Sequence, residues 1–104
     1  MSLQEFRDVL LTVTDAAYHF EAMQEKDEYI VWQEMKGHSL HASDYRCEVA
    51  KKIQVDLYTK TEFSPTLDRL INVLIENDVA FEEPVPTYEA DTSQFRYIIE
   101  CEVV

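Results

Sequence analysis

The residues from Arg46 to Asn77 constrain the fold more than any other stretch of the chain. Between Arg46 and Thr59 the sequence alternates, with Cys47, Val49, Ile53, Val55 and Leu57 on one side and Arg46, Glu48, Lys52, Gln54 and Asp56 on the other. A period of two marks a strand with one face buried and the other wet. From Leu67 the period changes: Leu67, Leu70, Ile71, Leu74 and Ile75 follow the i, i+3, i+4, i+7, i+8 spacing that lays one apolar stripe along a helix. Ser64 offers its hydroxyl to the open amides of the first turn, and Pro65 suits the first helical position, where no donor is needed. A long strand feeding an amphipathic helix is therefore the frame on which the other elements are placed.

Ser2 and Glu5 form a capping box ahead of Leu3, Phe6, Val9, Leu10 and Val13, which predicts a first helix over about residues 3–13. Ala17 to Phe20 reads as a short strand, Gln24 to Glu28 as a polar turn, and the β-branched and aromatic run Tyr29 to Met35 as a strand. The polar run from Gly37 to Asp44 holds the only glycine and forms the tip of a hairpin joining that strand to the long one. Val79 to Phe81 starts another strand. Pro84 and Pro86 cannot donate to a ladder and so favour an edge or a bend, and Tyr88 to Ser93 reads as a turn-rich link. In the closing strand, Gln94 to Val103, the residues Phe95, Tyr97, Ile99, Cys101 and Val103 share one face. This order predicts an α+β fold, with two helices on one face of a mostly antiparallel sheet of about four or five strands and a protruding hairpin. A chain of 104 residues leaves room for a single domain spanning residues 1–104.

The chain carries 9 basic and 21 acidic residues, a formal charge of −12. A field of that sign repels polyanions, so neither specific nucleic-acid binding nor an anionic membrane surface is expected. It remains compatible with a channel through which DNA slides without sticking. No apolar run approaches the length of a membrane span, and nothing resembles a signal peptide. Cys47 and Cys101 fall on the apolar sides of their strands, which predicts buried thiols; a disulfide would require those strands to be neighbours.

Chemistry has few candidates. His38 and His41, with Asp44 beyond them, offer fewer ligands than a zinc site needs and read as a solvated loop. His19 reads as a packed side chain. With a single glycine there is no nucleophile elbow, phosphate loop or dinucleotide fingerprint, and the pairs Glu82-Glu83 and Glu100 with Glu102 fall where no pocket is predicted. The expectation is a protein that is not an enzyme, with no catalytic residue, metal or cofactor. A sheet covered on one side leaves its other side for water or a partner. Alternation assigns Ile30, Trp32, Tyr58 and Ile98 to that second side, among Glu34, Lys52, Asp56, Arg96 and Glu100. Val73 and Leu11 lie off the stripes of their helices, and Leu40 lies in the hairpin tip. Aromatic and apolar anchors amid charges are what an assembly surface needs, so Ile30, Trp32, Leu40, Tyr58, Val73 and Ile98 form the expected oligomer interface.

Four segments taken together, Tyr29-Ile-Val-Trp-Gln-Glu34, Ile53-Gln-Val-Asp-Leu-Tyr-Thr59, Leu67-Asp-Arg-Leu-Ile-Asn-Val-Leu-Ile-Glu76 and Phe95-Arg-Tyr-Ile-Ile-Glu-Cys-Glu102, resemble the small tail-terminator, or tail-completion, proteins of long-tailed bacteriophages and prophages. With the opening helix, the likeness spans residues 3–103. It implies an α+β subunit that assembles with itself into a hexameric ring, caps the tail tube, docks the head and lets DNA through. The implied partners are further copies of the chain, the tail-tube protein and a head-completion protein. The implied locations are the host cytoplasm during assembly and the virion tail. The charge leaves open an acidic binding module that imitates DNA, and the likeness leaves open another neck component such as a head-closure adaptor.

Overall fold

The computed structural model describes residues 1–35 and 50–104. In chain order the elements are α1 (Leu3–Leu11), β1 (Ala17–His19), β2 (Glu28–Met35), β3 (Lys51–Thr59), α2 (Pro65–Glu76), β4 (Ala80–Phe81), β5 (Val85–Glu89) and β6 (Gln94–Val103). The strands form one mixed sheet of six strands in the order β1-β2-β3-β6-β4, with β5 also paired to β6. Among the described residues every pairing is antiparallel except β1 with β2. The class is α+β as the order of elements predicted, with six strands because β4 and β5 form two short pieces beside β6. Pro84 sits in the break between them, and Pro86 lies in an edge strand, where a missing donor costs least. Tyr88 pairs with Phe95 inside β5, so the predicted polar link begins as a strand.

Local chemistry sets the helix boundaries. The Ser2 hydroxyl accepts from the Glu5 amide at 3.0 Å, and the Glu5 carboxylate accepts from the Ser2 amide at 2.7 Å, closing the capping box of α1. The helix ends at Leu11, although Val13 beyond it is still buried. Ser64 caps α2, with Pro65 at the first helical position. At the far end Val79 N–H donates to the Leu74 carbonyl at 2.9 Å and Asp78 N–H to that of Ile75 at 3.1 Å, a Schellman arrangement that sets Asp78 at a φ of 58°. The start of β2 is tied to the start of α2 by one carboxylate. Glu28 accepts hydrogen bonds from the hydroxyls of Thr59, Ser64 and Thr66. Burial of Glu28 opposes its ionisation, yet those hydroxyls, with Arg69 nearby, outweigh it and hold the carboxyl below its ordinary pKa.

Register decides which side chains are covered. Ile30 stands opposite Leu57 and Trp32 opposite Val55; beyond β3, Val55 stands opposite Ile99 and Ile53 opposite Cys101. These residues form one cluster with Phe6 and Leu10 of α1 and Leu70 and Leu74 of α2, so both helices cover the same face. Two of the expected interface residues are thereby corrected: Ile30 is 0% and Trp32 2% exposed, in the core beneath the helices. The physical reason is that β2 is apolar on both phases, Ile30 and Trp32 on one and Tyr29, Val31 and Met35 on the other, so alternation alone could not choose the buried set. A second correction concerns α2, where Val73 packs against the core and Ile75, assigned to the stripe, is exposed. Residues 36–49 lie outside the described residues, and with them Leu40, His38, His41, Cys47, the first part of the predicted long strand and the hairpin tip.

Candidate functional site

The face of the sheet turned away from α1 and α2 is where the described residues bring polar and aromatic side chains together. Because Asp56 pairs with Val31 and Ile98, and Tyr58 with Tyr29 and Arg96, one side of β2, β3 and β6 carries all six. Tyr29 and Tyr58 stack with centroids 4.8 Å apart, and the Arg96 guanidinium lies 5.6 Å from the centre of the Tyr58 ring. Arg96 Nη2 is 2.8 Å from Asp56 Oδ2, and Nη1 is 3.8 Å from Glu89 Oε2. Gln54 Nε2 donates to both Asp56 oxygens at 3.1 Å. The result is a charged centre flanked by Val31 and Ile98, with Tyr58 and Tyr29 to one side.

Electrostatics follow from crowding on an otherwise open surface. Burial disfavours the charged form of Arg96, but the hydrogen bond and charge of Asp56 overcome this and raise its pKa. Burial pushes the Tyr58 hydroxyl up despite the opposing field of Arg96, and pushes Tyr29 up as well. Asp56 is only 6% exposed although neither α1 nor α2 covers it, because Arg96 and Gln54 lie across its carboxylate. Arg96 Nε is buried without a hydrogen-bond partner among the described residues. A pair fixed by neighbours in this way presents one geometry to whatever meets the face.

Tyr58 and Ile98 lie on the uncovered face, as predicted, both half-buried by their strand neighbours. Ile30 and Trp32 belong to the other side, and Val73 packs from α2 against the core. Sequence reasoning missed Tyr29, Val31 and Met35, which replace them on the open side. The signal was present in the choice of phase for β2: Trp32 at 5.7 Å from Phe6 belongs with the helix, and only a contact across elements reveals it. His19 is stacked between Phe20 and Trp32, with centroids 4.2 and 4.0 Å away, and pairs with Glu34. It packs, but at the exposed edge of the sheet.

At the other end of the open face, Met35, Lys52, Ala80, Phe81, Glu82, Glu100, Cys101 and Glu102 line a hollow of about 160 Å³. Burial pushes the Cys101 thiol up to about 12, so it is no nucleophile. Among the described residues no group of three or more His, Cys, Asp or Glu side chains is placed to hold a metal ion. No helix among them is long and apolar enough to cross a membrane. Neither a family model nor a curated protein matches the chain.

Proposed function

We propose that the protein is a structural assembly subunit of a bacteriophage or prophage tail, a tail terminator that joins with copies of itself into a hexameric ring. The reading rests on the likeness of the four segments and on one structural observation. Both helices pack on one side of the sheet, leaving Tyr58, Ile98 and the Asp56–Arg96 pair on a side that no element among the described residues covers. An apolar and aromatic surrounding supplies association energy and a fixed ion pair sets orientation. In a ring each copy uses two different patches, a heterologous contact that closes by rotation. The tail-tube and head-completion proteins would meet the two rims, and a charge of −12 would let DNA pass without adhering.

The loss of Ile30 and Trp32 from the open face shifts the expected anchors to Tyr58, Ile98, Val31 and Met35. Against the DNA-imitating alternative stands the placement of Arg96 at the centre of the face, where an imitation of a phosphate array needs uninterrupted carboxylates. Native mass spectrometry across a concentration series, with and without purified tail tubes, tests the proposal. Rings or tube-bound caps are expected from the parent chain, and the Ile98→Glu variant should form neither. A parent chain that stays monomeric and ignores tubes would overturn the reading.

A further inference from the structure

Among the described residues the sheet ends in β1 on one side and in β4 and β5 on the other. Along a strand the N–H and C=O groups of successive residues point alternately to the two sides, so a few ladder bonds fix which groups face outward. Ile30 N–H donates to the Ala16 carbonyl and Phe20 N–H to the Trp32 carbonyl, both at 2.8 Å, so Ala16, Tyr18 and Phe20 are spent on β2. Ala17 and His19 therefore turn their backbone groups to the outer edge. The His19 carbonyl is already taken by Glu21 N–H at 2.9 Å, across a γ-turn that holds Phe20 at a φ of 74°. The edge of β1 is left with the amides of Ala17 and His19 and the carbonyl of Ala17. On the far side, Glu82 N–H donates to the Glu100 carbonyl at 3.0 Å, and the register of β6 with β3 is unbroken, so Gln94, Arg96 and Ile98 also turn toward β5. Their opposites, Glu89, Thr87 and Val85, are spent on β6. Pro86 and Tyr88 face outward, and Pro86 has no N–H to offer. The edge of β5 is left with the amide of Tyr88 and the carbonyls of Pro86 and Tyr88.

A proline on an edge ordinarily blunts it against further strands, but these two edges fit one another. With His19 opposite Pro86 and Ala17 opposite Tyr88, His19 N–H meets the Pro86 carbonyl, Ala17 N–H the Tyr88 carbonyl and Tyr88 N–H the Ala17 carbonyl. The donor that Pro86 lacks is the one that the filled His19 carbonyl does not need. The same register sets no like charges against each other: Asp15 falls opposite Ala90, Glu21 opposite Pro84 and Glu89 opposite Ala16. It gathers Phe20, Val85 and Tyr88, which are 57%, 55% and 57% exposed, along one seam. Faces agree too. Ala17 and His19 stand beside Ile30 and Trp32, and Pro86 and Tyr88 beside Tyr97 and Phe95, so all four lie on the side of α1 and α2. Because β1 runs opposite to β5, two copies joined this way sit the same way up, the head-to-tail relation of a ring. Within a protomer Tyr18 is level with Val85, through Val31, Asp56 and Ile98. The seam pairs Tyr18 with Thr87, a slide of about two residues or 7 Å that keeps neighbours nearly level. Pairing β1 with β1 would instead set Asp15 against Glu21, and pairing β5 with β5 would lose a bond at each Pro86.

We infer that β1 of one copy adds to β5 of the next as an antiparallel strand, joining copies edge to edge into one continuous sheet. The inference rests on the self-assembly reading and deepens it by naming the two patches. Tyr18 and Thr87 would face each other at a position without ladder hydrogen bonds, where Cα atoms lie about 4.5 Å apart, within reach of a disulfide. A mixture of Tyr18→Cys and Thr87→Cys chains, oxidised and mapped by mass spectrometry, should yield a peptide linked between positions 18 and 87. Ala17→Pro removes an outward amide while leaving the bonds to β2 in place. Circular dichroism should find this variant folded, and sedimentation velocity should find it self-associating at least about tenfold more weakly than the parent chain. No linked peptide under conditions in which the parent assembles, or a folded Ala17→Pro variant that assembles like the parent, overturns the seam while leaving self-assembly standing. A parent chain that is monomeric throughout overturns both.

Discussion

Asp56 and Arg96 form an ion pair that is structural in the protomer and that the proposed assembly would use to set orientation. Asp56 is nearly buried on the face away from α1 and α2, and Arg96 is what makes that tolerable. Breaking a buried pair leaves a charge with its desolvation uncompensated, a cost of about 3–5 kcal/mol when burial is complete. Because the Arg96 side chain is 29% exposed, Arg96→Met should cost about 2 kcal/mol. Adding Asp56→Asn should recover part of that loss in urea denaturation. Glu28 sets a pH dependence. Its folded pKa is depressed, so its contribution is present above the unfolded pKa and is lost as pH falls through the folded value. Glu28→Gln should therefore be less stable than the parent by about 1 kcal/mol at neutral pH, with the gap closing below about pH 4, measured by denaturation at several pH values. Cys101, pushed up to about 12, should resist alkylation at neutral pH until the protein unfolds, which peptide mapping after iodoacetamide treatment will follow.

At the level of elements, the caps are where the sequence spoke most clearly. Ser2 with Glu5, and Ser64 with Pro65, act within a few residues of themselves, so their geometry follows from their spacing. The segment joining β3 to α2 behaves differently, because Phe63 keeps a strained backbone. Replacing it with glycine removes a clash worth about 1–2 kcal/mol but adds unfolded-state freedom worth about 0.5–1 kcal/mol. Phe63→Gly should then raise stability by about 0.5–1 kcal/mol in thermal denaturation. Strand phase was the weaker signal. In β3 the polar residues Gln54 and Asp56 mark the open side, whereas β2 offers apolar residues on both sides and its phase is set by contact with Phe6.

For the molecule as a whole, charge and one-sided packing act together. Copies carrying −12 repel one another, and added salt screens that repulsion within a Debye length of about 8–10 Å at physiological strength. The proposed self-association through the open face should therefore strengthen as salt rises from about 0.05 to 0.5 M, which sedimentation equilibrium will measure. An assembly held chiefly by attraction between opposite charges would weaken instead.

Taken by itself, the sequence determined the periodicities and the caps, because each depends on residues a few positions apart, and the order of the elements pointed to the class of fold with both helices on one side. It also placed Tyr58 and Ile98 on the open face, where polar neighbours in β3 and β6 mark the phase. Only the tertiary structure decided that Ile30 and Trp32 lie beneath the helices while Tyr29, itself buried, shares the opposite face with Val31 and Met35. It alone joined Glu28 to α2 and opened the hollow beside Met35. Those outcomes depend on register between strands and on contact between elements far apart in the chain, and a one-residue change of register exchanges the two faces of a strand.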